Sequence, residues 1–247
     1  MHLTEAPERL LDRVRKLLAQ AEDESVTPAE AQAFTAKAAE LMAKYGIDRA
    51  LLAADRPETD RPADRIVTID NPWAREKAHL LSGLASALRC HCILLGGTRP
   101  GNRVHLFGFA SDIDRTDVLY TSVLIQMAHG LAGALVPDWS SSPRAWRRSW
   151  LLGFATAVIA RVTEAEHGAV RAATARGTSN GERAALVLAD RSLIVRQQVQ
   201  DAYPVTRKAR VTYSGTGYRD GYAVGQRADI GGARLSGARG RTLTRGR

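Results

Sequence analysis

Arg144, Arg147 and Arg148 follow directly on Ser142-Pro143, with Trp146 among them and Trp150 just beyond. A serine before a proline marks a helix start, because proline's missing N–H costs nothing at the first helical position. Three cations there oppose the helix dipole, whose N-terminal end is already positive. The arrangement makes chemical sense where that end meets a phosphate, since guanidinium and free N–H groups then point at it together. Trp146 or Trp150 would stack on a base or on an arginine. The competing reading makes the tryptophans core anchors and the arginines a solvated face. A second basic set, Arg207, Lys208, Arg210, Arg239, Arg241 and Arg245, runs along the C-terminal end, where the tail from Arg234 to Arg247 reads either as a disordered nucleic-acid-binding arm or as an unselected, solvated terminus.

The other chemistry-bearing groups point less clearly to a site. His105 with Asp112 and Asp114 is the one set from which a metal-dependent hydrolase could be built, although acids in a first helical turn ordinarily serve capping and the dipole. Cys90, His91 and Cys92 fall on one strand, where alternate side chains project to opposite faces. At most two of the three can therefore share a metal, and no second cysteine pair completes a zinc site. Buried cysteines are the expected outcome. Glu164, Glu166 and His167 do not form a zincin motif. The chain also lacks a nucleophile elbow, a Walker A lysine and a dinucleotide fingerprint, so no cofactor is implied. Gly217, Gly221 and Gly225, with Gly215 just before, recur every four residues; on a helix they make a face without side chains, suited to close packing within the chain or between copies.

Charge supports the first of these ideas. The net charge is +9, but residues 1–60 hold 8 basic and 12 acidic residues, whereas residues 205–247 hold 10 basic and 2 acidic. Asymmetry of that size points to a polyanionic partner at the basic end. Of 35 basic residues only five are lysine, which suits bidentate phosphate contacts and equally suits a codon bias. Hydrophobic content of 45% is ordinary for a globular protein, and no apolar run approaches the roughly 20 residues that span a bilayer. The N-terminus shows no signal-peptide pattern, and a cytoplasmic location is expected.

The elements that must position these groups follow from periodicity. Leu10, Val14, Leu17, Leu18 and Ala21 form one helical stripe. Thr27-Pro28-Ala29-Glu30 is a capping box that opens a second helix, whose stripe is Ala31, Phe34, Ala38, Leu41, Met42 and Tyr45. Gly46 reads as its left-handed cap, with Ile47 making the apolar contact of a Schellman ending. Residues 51–65 read as a polar linker and 66–69 as a short strand. A helix opened by Asn71-Pro72 leads into two strands, 89–95 and 103–109, joined by a glycine-rich turn. A long helix begins at Ser111-Asp112, and another spans roughly 142–174. Residues 184–188 suit either strand or helix, 193–202 a helix, 210–213 a strand, and 218–229 a short helix. From residue 231 onward glycine and arginine dominate, and disorder is expected.

Arg13-Val14-Arg15-Lys16-Leu17-Leu18-Ala19, Pro28-Ala29-Glu30-Ala31-Gln32-Ala33 and the run Ala38-Ala39-Glu40-Leu41-Met42-Ala43-Lys44-Tyr45-Gly46-Ile47 resemble a small helical domain, domain of unknown function 2786. The resemblance covers about the first 50 residues. A weaker likeness to the α+β region that often follows it lies in Val104-His105-Leu106-Phe107-Gly108 and Asp112-Ile113-Asp114. The resemblance implies a bacterial or phage setting and brings no activity or site residues with it.

Together these readings give an α+β protein. Residues 7–50 form a helical hairpin and 51–65 a linker. Residues 66–230 form a helix-rich domain around a small antiparallel sheet, a β-hairpin followed by long helices, and 231–247 a tail. The leading expectation is binding of DNA or RNA, largely without sequence specificity, with the acidic hairpin free to contact a protein partner. The alternatives are a homo-oligomeric scaffold, using the hairpin and the glycine face, and a metal-dependent hydrolase.

Overall fold

One apolar stripe, Trp146, Trp150, Phe154, Val158 and Val162, repeats every four residues. It lies buried along α4, Pro143–Ala175, around which the other helices are arranged. The computed structural model describes residues 12–14, 16, 17, 20, 28–95, 102–175, 179–207, 214–228 and 230. Among these, α1 is Pro28–Asp55, followed by a 3-10 turn at Pro57–Thr59 and β1 at Pro62–Ile69. Then come α2 (Ala74–Ala87), β2 (His91–Leu95), β3 (Asn102–Phe109), α3 (Ala110–Ala132), α4, α5 (Ser179–Ala202) and α6 (Tyr218–Arg227). The described residues between 12 and 20 are helical as well. No helix among the described residues is long and apolar enough to cross a membrane.

The strands form one antiparallel sheet in the order β1-β3-β2, so the last strand made lies in the middle. In β3 the pleat sends Val104 and Leu106 to one face, where they meet Leu81 and Ala85 of α2 and Ile113 of α3. Phe107 and Phe109 point to the other face and pack on Val195 and Val199 of α5. Both faces of the strand are therefore covered, in keeping with its apolar residues on either side. The α+β architecture expected from the sequence is what the structure shows.

Around α4 the core gathers Leu80, Leu84 and Leu88, then Leu119, Val123 and Met127 of α3, and Leu41 and Met42 of α1 together with Val14. The N-terminal helical segment thus shares one apolar core with the rest of the chain. The glycine face of α6 is spent inside the molecule. A Cβ on Gly217, Gly221 or Gly225 would run into the carbonyl oxygens of Trp146, Trp150 and Phe154 respectively, and one on Gly153 would meet that of Tyr218. Helix α6 consequently lies backbone to backbone on α4, and the contact between copies considered for this face is already occupied.

Two local expectations are corrected. Gly46 does not end its helix: α1 continues to Asp55, and the glycine instead admits two arginine side chains, described below. Residues 51–65 comprise the end of α1, the 3-10 turn and the start of β1, held in place where the Arg49 guanidinium donates to the Thr59 carbonyl. The helix expected at 193–202 and residues 184–188, left open between strand and helix, form one helix, α5, along which Ala184, Leu188, Arg191, Val195 and Val199 are buried. The first turn of the hairpin helix, the strand at 210–213 and the tail at 231–247 lie outside the described residues.

Candidate nucleic-acid interface

Helix α4 begins as its sequence requires. Ser142 caps it, its Oγ accepting from the Ala145 N–H at 3.3 Å and its carbonyl from the Trp146 N–H at 2.9 Å. The first turn carries no acid, and Arg144 and Arg147 are exposed. Arg148 is half-buried and donates from Nε to Glu76 of α2 at 2.8 Å, which fixes its direction. Beside these turns the chain re-enters the described structure at Ser214. Gly215, at φ 138°, lies against the Ala145 carbonyl in a conformation and at a distance open only to glycine. The Gly217 N–H donates to Ser149 Oγ at 2.9 Å. The segment following the basic residues Arg207, Lys208 and Arg210 is thereby strapped onto the arginine-bearing end of α4. Arg207 is exposed; Lys208, Arg210, Arg239, Arg241 and Arg245 lie outside the described residues.

Trp146 does not have the stacking role expected of it. It is 2% exposed, and Trp150 is 1% exposed and stacked on Phe154 at 5.6 Å. Emptying such a core position costs about 3–5 kcal/mol, more than the roughly 1–3 kcal/mol that one stacked base returns, so the ring stays inside. The exposed indole is Trp139, in the link between α3 and α4, at 71% exposure. The competing reading of the sequence, in which the two tryptophans on the helical stripe are core anchors, is the one their burial bears out.

The metal set is also dispersed. His105 packs its ring on Phe107 and bonds Asp64 Oδ2 and the Tyr203 hydroxyl, each at 2.8 Å. A carboxylate only accepts, so the Nε2 N–H donates to Asp64. Asp112 is buried against arginines, and Asp114 faces solvent with Arg65 at 3.7 Å. Their separate partners leave no shared ligand position, and no group of three His, Cys, Asp or Glu side chains suited to a metal occurs among the described residues. Burial pushes the Cys90 and Cys92 thiols up to about 12. Thiolate, the reactive form, is then scarce at neutral pH. Iodoacetamide is expected to leave both cysteines unmodified in the folded protein and to label them after denaturation, as read by intact mass; labelling of the native chain would contradict this burial.

What the sequence did not disclose is a buried charge cluster where α1, α3, α4 and α5 meet the sheet. Arg115 is fully buried, donating to Asp112 Oδ1 at 3.0 Å and to Glu166 of α4. Arg89, held at φ 68°, donates to the other oxygen of Glu166 at 3.0 Å. Arg191 of α5 bonds Asp60 Oδ2 at 2.7 Å and Asp112 Oδ2 at 3.1 Å, with its guanidinium 3.6 Å from the centre of the Phe109 ring. Asp60 in turn accepts from the Ser111 N–H at 3.1 Å and the Ser111 hydroxyl at 2.6 Å, capping α3 from another part of the chain. Three guanidinium groups face three carboxylates, which cancels the local charge. Burial alone pulls the Arg115 pKa down, but Glu166 and Asp112 outweigh it and raise the pKa, so the group stays charged. Gly46 completes the cluster: a Cβ there would occupy the space of the Arg115 and Arg89 guanidinium groups.

Residues 9–49 match the family model described as Protein of unknown function (DUF2786), which bears out the resemblance read over the N-terminal segment. That match includes Gly46 and stops before α1 ends. No curated protein and no solved structure matches the chain.

Proposed function

We propose that the protein binds nucleic acid with little base specificity, through phosphate contacts from Arg144 and Arg147 that Arg207, Lys208, Arg210 and the arginines at 239, 241 and 245 extend. The observation carrying this reading is the start of α4. Two exposed arginines stand at a positive helix end with no acid in its first turn, and among the described residues neither meets a carboxylate. Such a placement raises the local energy unless an anion sits there. A net charge of +9 adds long-range attraction. The acidic first 60 residues would be repelled by phosphate and are left for a protein partner.

Phosphate-driven binding has a recognisable salt signature. In a mobility-shift titration the full chain is expected to bind duplex DNA at low salt and to weaken steeply as salt rises. Replacing Arg144 and Arg147 by alanine should flatten the log–log salt slope by about 1.8, at roughly 0.9 per lost contact. If neither DNA nor RNA shifts at low salt, the reading is wrong.

A further inference from the structure

Trp139 projects at 71% exposure from a link of about ten residues that ends on the capping serine of α4. The link is shaped rather than loose. The Ser140 N–H closes a turn onto the Pro137 carbonyl at 2.9 Å, and Ser142 fixes the far end. Leu135, at 90% exposure, is the other exposed large apolar side chain on it, and Arg144 and Arg147 follow within two helical turns. An indole this exposed presents a flat apolar face on which another ring can stack.

We infer that Trp139 is a stacking platform for an unpaired base, and that the ligand of this surface is single-stranded nucleic acid. The inference rests on the phosphate-binding reading above and adds the class of strand. One indole and one leucine on a short link fall well below the area of a stable protein interface. A single base, by contrast, covers an indole face fully and tolerates any sequence, because every base has a π-face. The flanking arginines supply the charge complementary to that base's own phosphates. Paired bases keep their faces stacked inside a duplex, so the platform distinguishes one strand from two.

The test titrates the full chain and the Trp139→Ala and Trp139→Phe variants with oligothymidine, oligouridine and a DNA duplex of equal length at low salt. Trp139→Ala is expected to weaken binding of the single strands about tenfold, the scale of one stack, while duplex binding and the melting temperature stay as in the parent. Trp139→Phe should retain most of the affinity. Indole fluorescence should be quenched by oligothymidine in the parent and not in the variants. If the alanine variant binds every probe as the parent does, the stacking role falls and the phosphate reading stands. If no probe binds the parent, both fall.

Discussion

Replacing Arg115 with methionine is expected to destabilise the protein by about 3–5 kcal/mol, the usual cost of breaking a buried ion pair by deleting one partner. For a chain of this size that lowers the melting temperature by roughly 10 °C. The side chain is fully buried and binds carboxylates on two helices, Asp112 within α3 and Glu166 on α4. Methionine fills most of the volume, so the loss is electrostatic: Asp112 and Glu166 remain out of water, with Arg89 and Arg191 alone to balance them. Arg115→Lys should fall between parent and methionine, since lysine keeps the charge but cannot hold both acids in a planar fork. A methionine variant that melts with the parent would show that the cluster contributes nothing to folding.

Gly221→Ala sets two effects against each other. Alanine is favoured over glycine in a helix interior by about 1 kcal/mol, and α6 on its own would gain from the change. In the fold the new methyl group would overlap the Trp150 carbonyl of α4, a backbone atom that cannot rotate aside. Overpacking of that kind costs about 1–3 kcal/mol or more, so the clash prevails and the variant should be destabilised by about 2 kcal/mol. Limited proteolysis should then cut near α6 sooner than in the parent. Arg219→Ala, at an exposed position of the same helix, should change neither melting nor cleavage. Stabilisation by Gly221→Ala would mean that α6 does not pack on α4 through its glycine face.

Much of the architecture was legible because it follows from local pattern. The stripe through Trp146, Trp150, Phe154, Val158 and Val162 gave a helix at 142–174, and α4 is Pro143–Ala175. Strand alternation and the glycine-rich turn gave the hairpin that became β2 and β3. The charge cluster escaped because its members, Asp60, Arg89, Asp112, Arg115, Glu166 and Arg191, are far apart in the chain, and each reads as a solvated residue when taken alone. One signal was present. Glu166 occupies the next four-residue step of the α4 stripe after Val162, and Arg191 sits between Leu188 and Val195 on that of α5. A charge at an apolar position of a long stripe announces a buried partner, whose identity only the fold supplies. Gly46 misled for a related reason: a glycine late in a helix suggests a cap, and its actual purpose, room for two guanidinium groups, depends on residues as distant as Arg115.

The burial of Ile47 and Ala50 of α1 beneath Ala184 and Leu188 of α5 has a consequence for the order of synthesis. The segment that matches the DUF2786 model leaves the ribosome well before α5, whose side chains cover one of its faces and are made well over a hundred residues later. At about 5–20 residues per second that interval is on the order of ten seconds, long beside the microseconds in which a helix forms. Throughout it the nascent α1 presents an uncovered apolar strip. Exposed apolar surface of that kind is what makes a partly made chain prone to aggregate, so the late arrival of α5 closes a vulnerable interval in folding.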